Sequence, residues 1–430
     1  MKLRDYQKTG VEFLLKRKTA LLADDMGLGK TATAIVAAEK NNVFPWVIVC
    51  PSTIKDQWAA SILEWTTDFT FVQVIRTGKD KIKPAHVYIV SYALAKVLLD
   101  LPSIGVLIVD EAHYCKSIET QRTLMTLGKK YLGGMAKKIW ALTGTPIFNR
   151  PIDLYSLLLT MYPNALVKAP TFEDFARRYN SGYWPRSVSY RTPENMRMGR
   201  AKNTEEIKLL IESFMLRRLK FEVLDEWPAV CVNVIDAEVC SAKRLKTLND
   251  KYEKSKTINE KQEFMRDPRG ERVKLRQEYA YLKLDFTIEY LKVELTKYKK
   301  IAVFVYHRGI AEELRLGLRK FKPVVYQGGM NDREKTEALQ AFQEQDSQVF
   351  IGQIRAAGTG LDGLQKVCYR GIFVEWDHAP GAVDQTIDRL NRLGQGRGVL
   401  ISFVVVPDSL ESDSIKSLVE KDQDNKSIIK

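Results

Sequence analysis

At 430 residues the chain is too long for one ordinary domain and suits two, with insertions. Its hydrophobic fraction of 45% permits real cores, and its net charge of +14 points to a polyanionic partner, most simply nucleic acid, or else to a merely basic soluble protein. Five scattered cysteines with no CxxC pair argue against zinc and suit a reducing compartment, and no apolar run approaches the roughly 18 residues that a membrane span needs.

In chain order, the first motif begins at Leu3, which leaves no room for a signal peptide. Leu21 to Thr31 reads LLADDMGLGKT: a strand, a glycine loop and a helix start. Such a loop lets backbone N–H groups of Asp25, Gly27, Leu28 and Gly29 close around phosphates at a helix N-terminus. Lys30 is expected to reach the β- and γ-phosphates of ATP, and the Thr31 hydroxyl to ligate Mg²⁺. The usual P-loop pattern has Gly where Asp24 stands. Taken alone, the segment also reads as an ordinary glycine turn before a helix.

Apolar runs then mark candidate strands at Val47–Cys50, Val87–Val90, Val106–Val109 and Ile139–Leu142. After a long gap come Ile301–Val305, Val349–Ile351, Ile372–Glu375 and Val399–Val405. Apolar on both faces and separated by helical stretches, they predict an α/β chain of two doubly wound parallel-sheet lobes with helical insertions. Ligands in such folds gather at the carboxyl ends of strands. Asp110 and Glu111 stand at one such end. Asp110 is placed to hold Mg²⁺ and Glu111 to orient or deprotonate a water. An acidic pair capping a helix is the plainer alternative.

Between the lobes, residues 177–202 carry Arg177, Arg178, Arg186, Arg191, Arg197, Arg200 and Lys202 against Glu194, with Tyr179, Tyr183, Trp184 and Tyr190 interleaved. This stretch either tracks a phosphate backbone or is a partly packed helical insertion with a solvated basic face. Arg244 to Lys300 is rich in charge and helix formers, and its charge runs read as a solvated face. The predicted division is residues 1–225 for the first lobe, with a helical insertion at about 155–215. Residues 226–300 form a linker and charged helical insertion, and 301–430 the second lobe. Gln385 to Gln395 reads QTIDRLNRLGQ, which puts Arg389 and Arg392 on one face of a predicted helix. Both suit arginine fingers, worth roughly 10³–10⁵ in rate. Surface arginines bonded to acidic neighbours are the alternative. The tail after Asp408 is predicted as one short helix that frays.

Read together, these motifs resemble the Swi/Snf family of superfamily-two helicases, DNA-translocating ATPases, over nearly the whole chain. Leu3-Arg4-Asp5-Tyr6-Gln7 resembles the family's glutamine motif, which implies that Gln7 reads the adenine edge. DDMGLGKT (24–31) is close to DEMGLGKT, and DEAH (110–113), Ser91-Tyr92 and LTGTPIFNR (142–150) match family motifs. FMLRRLKFEVL (214–224) resembles a block peculiar to the family. Val49-Cys50-Pro51 to Trp58 resembles a motif that contacts DNA backbone, which implies contacts from Ser52, Thr53 and Lys55. Second-lobe matches are looser: Val303 to Arg308, Tyr326 to Gly329 with Arg333 and Phe342, Gly358 to Leu361, and Trp376 with Pro380. Asp362 and Gly363 interrupt one motif, and Asn391 replaces a common His.

The resemblance implies two RecA-like lobes that bind ATP with Mg²⁺ in the cleft between them, Gly360 joining the nucleotide site. It implies double-stranded DNA as partner, held through phosphates by Ser52, Thr53, Lys55, Ser91, Thr143, His307, Arg308, Gly328 and Arg355. Thr143 and Thr145 either couple nucleotide to DNA or only cap their turn. The implied activity is ATP-driven translocation on duplex DNA that remodels protein–DNA or branched structures. A strand-separating helicase or fork-annealing enzyme shares the same site. A DNA-binding module with a vestigial ATPase is the distant alternative. The implied state is a monomer in the cytoplasm, at the nucleoid, if prokaryotic or viral, and in the nucleus if eukaryotic.

Overall fold

The computed structural model describes residues 2–67, 71–184, 196–224, 227–261, 271–358 and 361–429. Two compact units divide the chain. The first comprises residues 1–182, 198–227 and 424–430, the second 183–197 and 228–423.

The first unit holds a seven-stranded sheet. Its strands are β1 (Thr19–Leu22), β2 (Trp46–Cys50), β3 (Val72–Val74), β4 (Val87–Ser91), β5 (Ile104–Asp110), β6 (Ala136–Leu142) and β7 (Met215–Leu216), in the order β3-β4-β2-β5-β6-β1-β7. Every pairing is parallel. β2 and β4 are buried throughout, as strands covered on both faces must be. One face packs Val47, Val49 and Leu107 with Tyr155, Phe175 and Ile211 from the 155–215 helices. The other packs Ile48, Ile108 and Trp140 with Ala34, Ala37 and Trp58.

The second unit holds a six-stranded, all-parallel sheet. Its strands are β8 (Val230–Asp236), β9 (Ile301–Val305), β10 (Val324–Tyr326), β11 (Val349–Gln353), β12 (Arg370–Phe373) and β13 (Val399–Val405), in the order β10-β11-β9-β12-β13-β8. The second sheet therefore takes a strand, β8, from the stretch predicted as linker and helical insertion. β8 lies at the sheet edge and is largely exposed, and Asn233 interrupts its apolar residues, unlike those of the buried strands. The helix Leu284–Lys297 from the same stretch is a core element, burying Leu284, Leu291 and Leu295.

β12 starts at Arg370 and stops at Phe373, earlier than the predicted Ile372–Glu375. A charged residue can sit inside the strand because Arg370, 1% exposed, donates from Nε to Glu294 Oε2 at 2.8 Å and from Nη2 to the Tyr290 hydroxyl at 2.8 Å. Burial pushes the Glu294 carboxyl up, but Arg370 and Lys297 outweigh it and hold it below its ordinary value. A depressed carboxyl stabilises the fold above the unfolded value, and that stabilisation is lost as pH falls through the folded value. Glu294→Gln should thus cost the second unit about 3–5 kcal/mol at neutral pH, by leaving Arg370 buried without its counter-charge. The deficit should shrink in acid, where the wild-type carboxyl is protonated too. Denaturant titration at pH 7 and below the ordinary glutamate value of 4.5 checks both.

The predicted short, frayed tail is instead the helix Leu410–Ile429, of 20 residues. Ile428 is buried in the first unit's core, and Asp424 accepts a two-pronged bond from Arg200, at 2.7 and 2.9 Å. In the basic insertion, Arg178 likewise pairs with Glu206 at 2.6 Å, and Tyr179 is buried. The described part of that stretch thus follows the packed-insertion reading, while Arg186, Tyr190, Arg191 and Glu194 lie outside the described residues. No helix among the described residues is long and apolar enough to cross a membrane.

Candidate active site

Strand register brings the first unit's motifs together. Leu22 pairs with Leu142 and Leu216, and Leu142 with Asp110. The glycine loop, the Asp110-Glu111 step, Thr143 and Arg217 therefore leave the carboxyl edge of one sheet at the same level. Burial lowers the affinity of the Lys30 ammonium for its proton, while Glu111, Asp24, Asp110 and Asp25 oppose that shift. Lys30 is thus within electrostatic reach of both carboxylates.

The loop has the backbone of a phosphate cradle. Gly27 and Gly29 take positive φ of 85° and 77°, and Lys30 opens the helix Lys30–Asn41, followed by Thr31. A Cβ on Gly29 would come within 2.3 Å of Gln7 Nε2, so the glycine also admits Gln7 to the loop. Gln7 donates that nitrogen to the Leu28 carbonyl at 3.2 Å and accepts from Arg4 N–H at 2.9 Å. Lys30 Nζ donates to the Asp24 and Asp25 carbonyls at 2.6 and 3.2 Å.

Asp24 owes its place to the 214–224 block. It is 1% exposed and takes Arg218 on both oxygens, at 2.9 and 2.5 Å. Arg217 donates to Asp25 Oδ1 at 3.0 Å, to the Ala23 carbonyl at 2.7 Å and to the Gly144 carbonyl at 3.2 Å. Lys220 N–H completes the clamp on Asp25 Oδ2 at 3.1 Å. Sequence reasoning took this block as a family mark and assigned its arginines no task. Two successive acidic residues at the end of an apolar strand, before the glycines, were the available signal.

Asp110 is held from three sides. Oδ1 accepts Glu111 N–H at 2.9 Å, Oδ2 accepts the Trp58 indole N–H at 2.7 Å, and its carbonyl accepts the Tyr92 hydroxyl at 2.6 Å. Burial and the Glu111 charge push the Asp110 carboxyl up, against the Trp58 bond and Lys30. Glu111 adopts φ +52°, uncommon for a residue with a side chain, and such outliers cluster at functional sites. A Glu111 oxygen lies 3.2 Å from His113 Nδ1, which is 3.3 Å from Thr143 Oγ1. The Thr31 hydroxyl and Asp110 carboxylate are hard oxygen donors that fit Mg²⁺, which takes few protein ligands beside waters and phosphates. No cluster of three or more His, Cys, Asp or Glu side chains suited to a metal occurs among the described residues.

Three expected DNA contacts turn inward. Thr143 is fully buried and accepts Thr145 N–H at 3.1 Å, so it caps its turn while meeting His113. Lys55, 8% exposed, sends its ammonium to the Ile75 carbonyl at 2.8 Å, which compensates its burial. Ser91 ends a wholly buried strand. Ser52 and Thr53 are exposed.

In the second unit the candidates share the sheet's carboxyl edge. His307 Nδ1 lies 2.5 Å from Glu375 Oε1. Arg308 Nη2 donates to the Gly328 carbonyl at 2.5 Å, and Gly328 N–H donates to Gln353 Oε1 at 3.0 Å. Arg355 is exposed, lies over the Tyr306 ring at 5.2 Å and donates to Asp377 at 3.4 Å. Arg389 and Arg392 are not helical. Their helix, Pro380–Ile387, stops before them, and the chain turns through Asp388–Leu390 toward Gly394, at φ +93°. Glycines at 394, 396 and 398 disfavour continuing the helix. Both arginines instead grip the segment after β11. Arg389 is buried and donates to the Gly358 and Leu361 carbonyls, and Arg392 donates to Asp362 at 2.8 Å. Gly360 lies outside the described residues.

The SNF2-related domain matches residues 6–276, and the helicase conserved C-terminal domain matches 282–394. The chain belongs to the SNF2-related family. It is a DNA-dependent ATPase of helicase superfamily two. The chain is 30% identical to the DNA annealing helicase and endonuclease ZRANB3 of Bos taurus, over 96% of its length and 39% of that protein. It is also 30% identical to the SWI/SNF-related matrix-associated actin-dependent regulator of chromatin subfamily A-like protein 1 of Xenopus tropicalis, over 94% of its length and 42% of that protein. It thus spans about two fifths of these relatives. The Sulfolobus solfataricus SWI2/SNF2 ATPase core in complex with dsDNA aligns with TM-score 0.45 and 21% identity, over 100% of this chain and 94% of that one.

Proposed function

We propose that this SNF2-related ATPase is a double-stranded DNA translocase that uses Mg²⁺ and ATP to remodel protein–DNA or branched DNA structures, acting as a monomer at the nucleoid or in the nucleus. The observation that carries the reading is the common level at which the glycine loop, Asp110-Glu111, Thr143 and Arg217 leave one parallel sheet. Backbone N–H groups of Asp25, Gly27, Leu28 and Gly29 would seat the phosphates, Lys30 would neutralise them, and Gln7 would meet the base. Thr31 and Asp110 would hold Mg²⁺, which shields phosphate charge when bound. Glu111 would orient the attacking water, and Arg389 and Arg392 would supply positive charge during turnover. Gly360 is assigned to the nucleotide by family resemblance alone. Ser52, Thr53, His307, Arg308, Gly328 and Arg355 are the assigned phosphate contacts, so binding is sequence-independent, with each phosphate adding roughly −0.9 to the log–log salt slope.

A second reading, fork annealing, is favoured by the likeness to the DNA annealing helicase and endonuclease of Bos taurus. ATP hydrolysis measured with no DNA, single strands, blunt duplex and forks separates the two. Duplex is expected to stimulate more than single strands. A preference for forks over duplex supports annealing, and stimulation by single strands alone defeats both readings in favour of an unwinding helicase.

A further inference from the structure

The Asp110 carboxylate receives one bond from its own chain neighbour and one from a different element, the Trp58 indole. Trp58 lies one turn into the helix Lys55–Trp65, which grows directly out of the exposed turn Ser52–Ile54. We propose that Trp58 is a positioning residue that transmits the occupancy of the Ser52–Thr53 turn by duplex DNA to the Mg²⁺-holding carboxylate of Asp110. The proposal rests on the assignments of Asp110 to Mg²⁺ and of Ser52 and Thr53 to DNA phosphates.

The geometry suits a rigid link. Trp58 is 2% exposed, its ring packed in the core between the sheet and its helices, and its one polar atom is spent on Asp110 Oδ2 at 2.7 Å. Lys55, at the start of the same helix, is tied to the Ile75 carbonyl, so the helix is fastened where it meets the exposed turn. A load on Ser52 and Thr53 thus acts on a stiff helix whose next turn carries the indole. A carboxylate has about four lone-pair sites. Glu111 N–H and Trp58 use one on each oxygen and leave the others for a cation, with the carboxylate plane held. The Tyr92 hydroxyl on the Asp110 carbonyl fixes the backbone beneath, so the indole is the support that can vary with the helix. Outer-shell partners of this kind change metal affinity by about 10–100-fold when removed.

Trp58→Phe keeps an aromatic ring in the core but removes the donor together with part of the ring volume. Trp140→Phe, in the same core, removes an indole whose nitrogen makes no hydrogen bond to Asp110 and controls for lost packing. The readout is equilibrium binding of a fluorescent ADP in EDTA and across a Mg²⁺ titration, with and without blunt duplex, alongside the melting temperature. The expected result for Trp58→Phe is unchanged affinity in EDTA and a Mg²⁺ half-saturation raised about tenfold. Duplex should shift that half-saturation in the wild type and in Trp140→Phe, and no longer in Trp58→Phe. A wild-type Mg²⁺ response in Trp58→Phe overturns the proposal. So does an equal loss of affinity in EDTA, or the same defect in Trp140→Phe, since either makes Trp58 a packing residue. If the wild type binds no nucleotide at all, the proposed function itself has failed.

Discussion

Lys30→Ala is expected to lower ATP turnover by about 10²–10³-fold, the cost of removing one preorganised donor from a developing anion. Its affinity for duplex DNA should stay within twofold or so, because the phosphate contacts lie elsewhere. The Lys30 ammonium donates to the Asp24 and Asp25 carbonyls. Those two residues are themselves clamped by Arg218, Arg217 and the Lys220 N–H. The loop is thus held by groups other than Lys30, and its removal should leave the cradle standing. Steady-state hydrolysis with saturating duplex, with DNA affinity by fluorescence anisotropy on the same samples, checks the pair of statements. Equal turnover in variant and wild type would defeat the enzymatic reading and return the chain to a binding module.

The second large effect separates the two arginines that sequence alone treats as equivalent. Arg392→Ala should cut kcat by about 10³-fold, as the loss of an arginine finger does, with nucleotide affinity and melting temperature nearly unchanged. Its structural partner is the half-exposed pair with Asp362, which is worth little to the fold. Arg389→Ala should lose turnover too, and stability with it. Arg389 is buried, and its guanidinium satisfies the Gly358 and Leu361 carbonyls, so truncation leaves them unpaired at about 1–3 kcal/mol. Single-turnover hydrolysis, nucleotide binding and calorimetric melting of each variant distinguish these profiles. If Arg392→Ala retains kcat within twofold, the transition-state charge is met by another group.

Several residues were assigned a chemistry by sequence and a different posture by the fold. Lys55 and Thr143 sit in motifs that resemble DNA-contacting segments, yet both side chains close on protein atoms. A motif reports residue types in order. Whether a side chain points to solvent depends on what the neighbouring strand presents, and Ile75 and His113 arrive from elsewhere in the chain. Trp58 and Tyr92 went unassigned for the same reason. An apolar-faced tryptophan in a helix reads as core, and here it is core with one nitrogen on Asp110.

The strands of both sheets, save short or exposed β3, β7, β8 and β10, were determined by sequence alone, because continuous apolar runs between helices leave one way to bury both faces. So were the glycine loop and the Asp110-Glu111 step, since glycine at positive φ and a carboxylate at a strand end are local requirements. Tertiary structure alone decided which distant groups complete them. Parallel pairing set Leu22, Leu142, Leu216 and Asp110 at one level, and from that level Arg217 and Arg218 reach the acidic residues before the loop. Local sequence cannot supply such partners, because register between strands far apart in the chain is a property of the packed sheet.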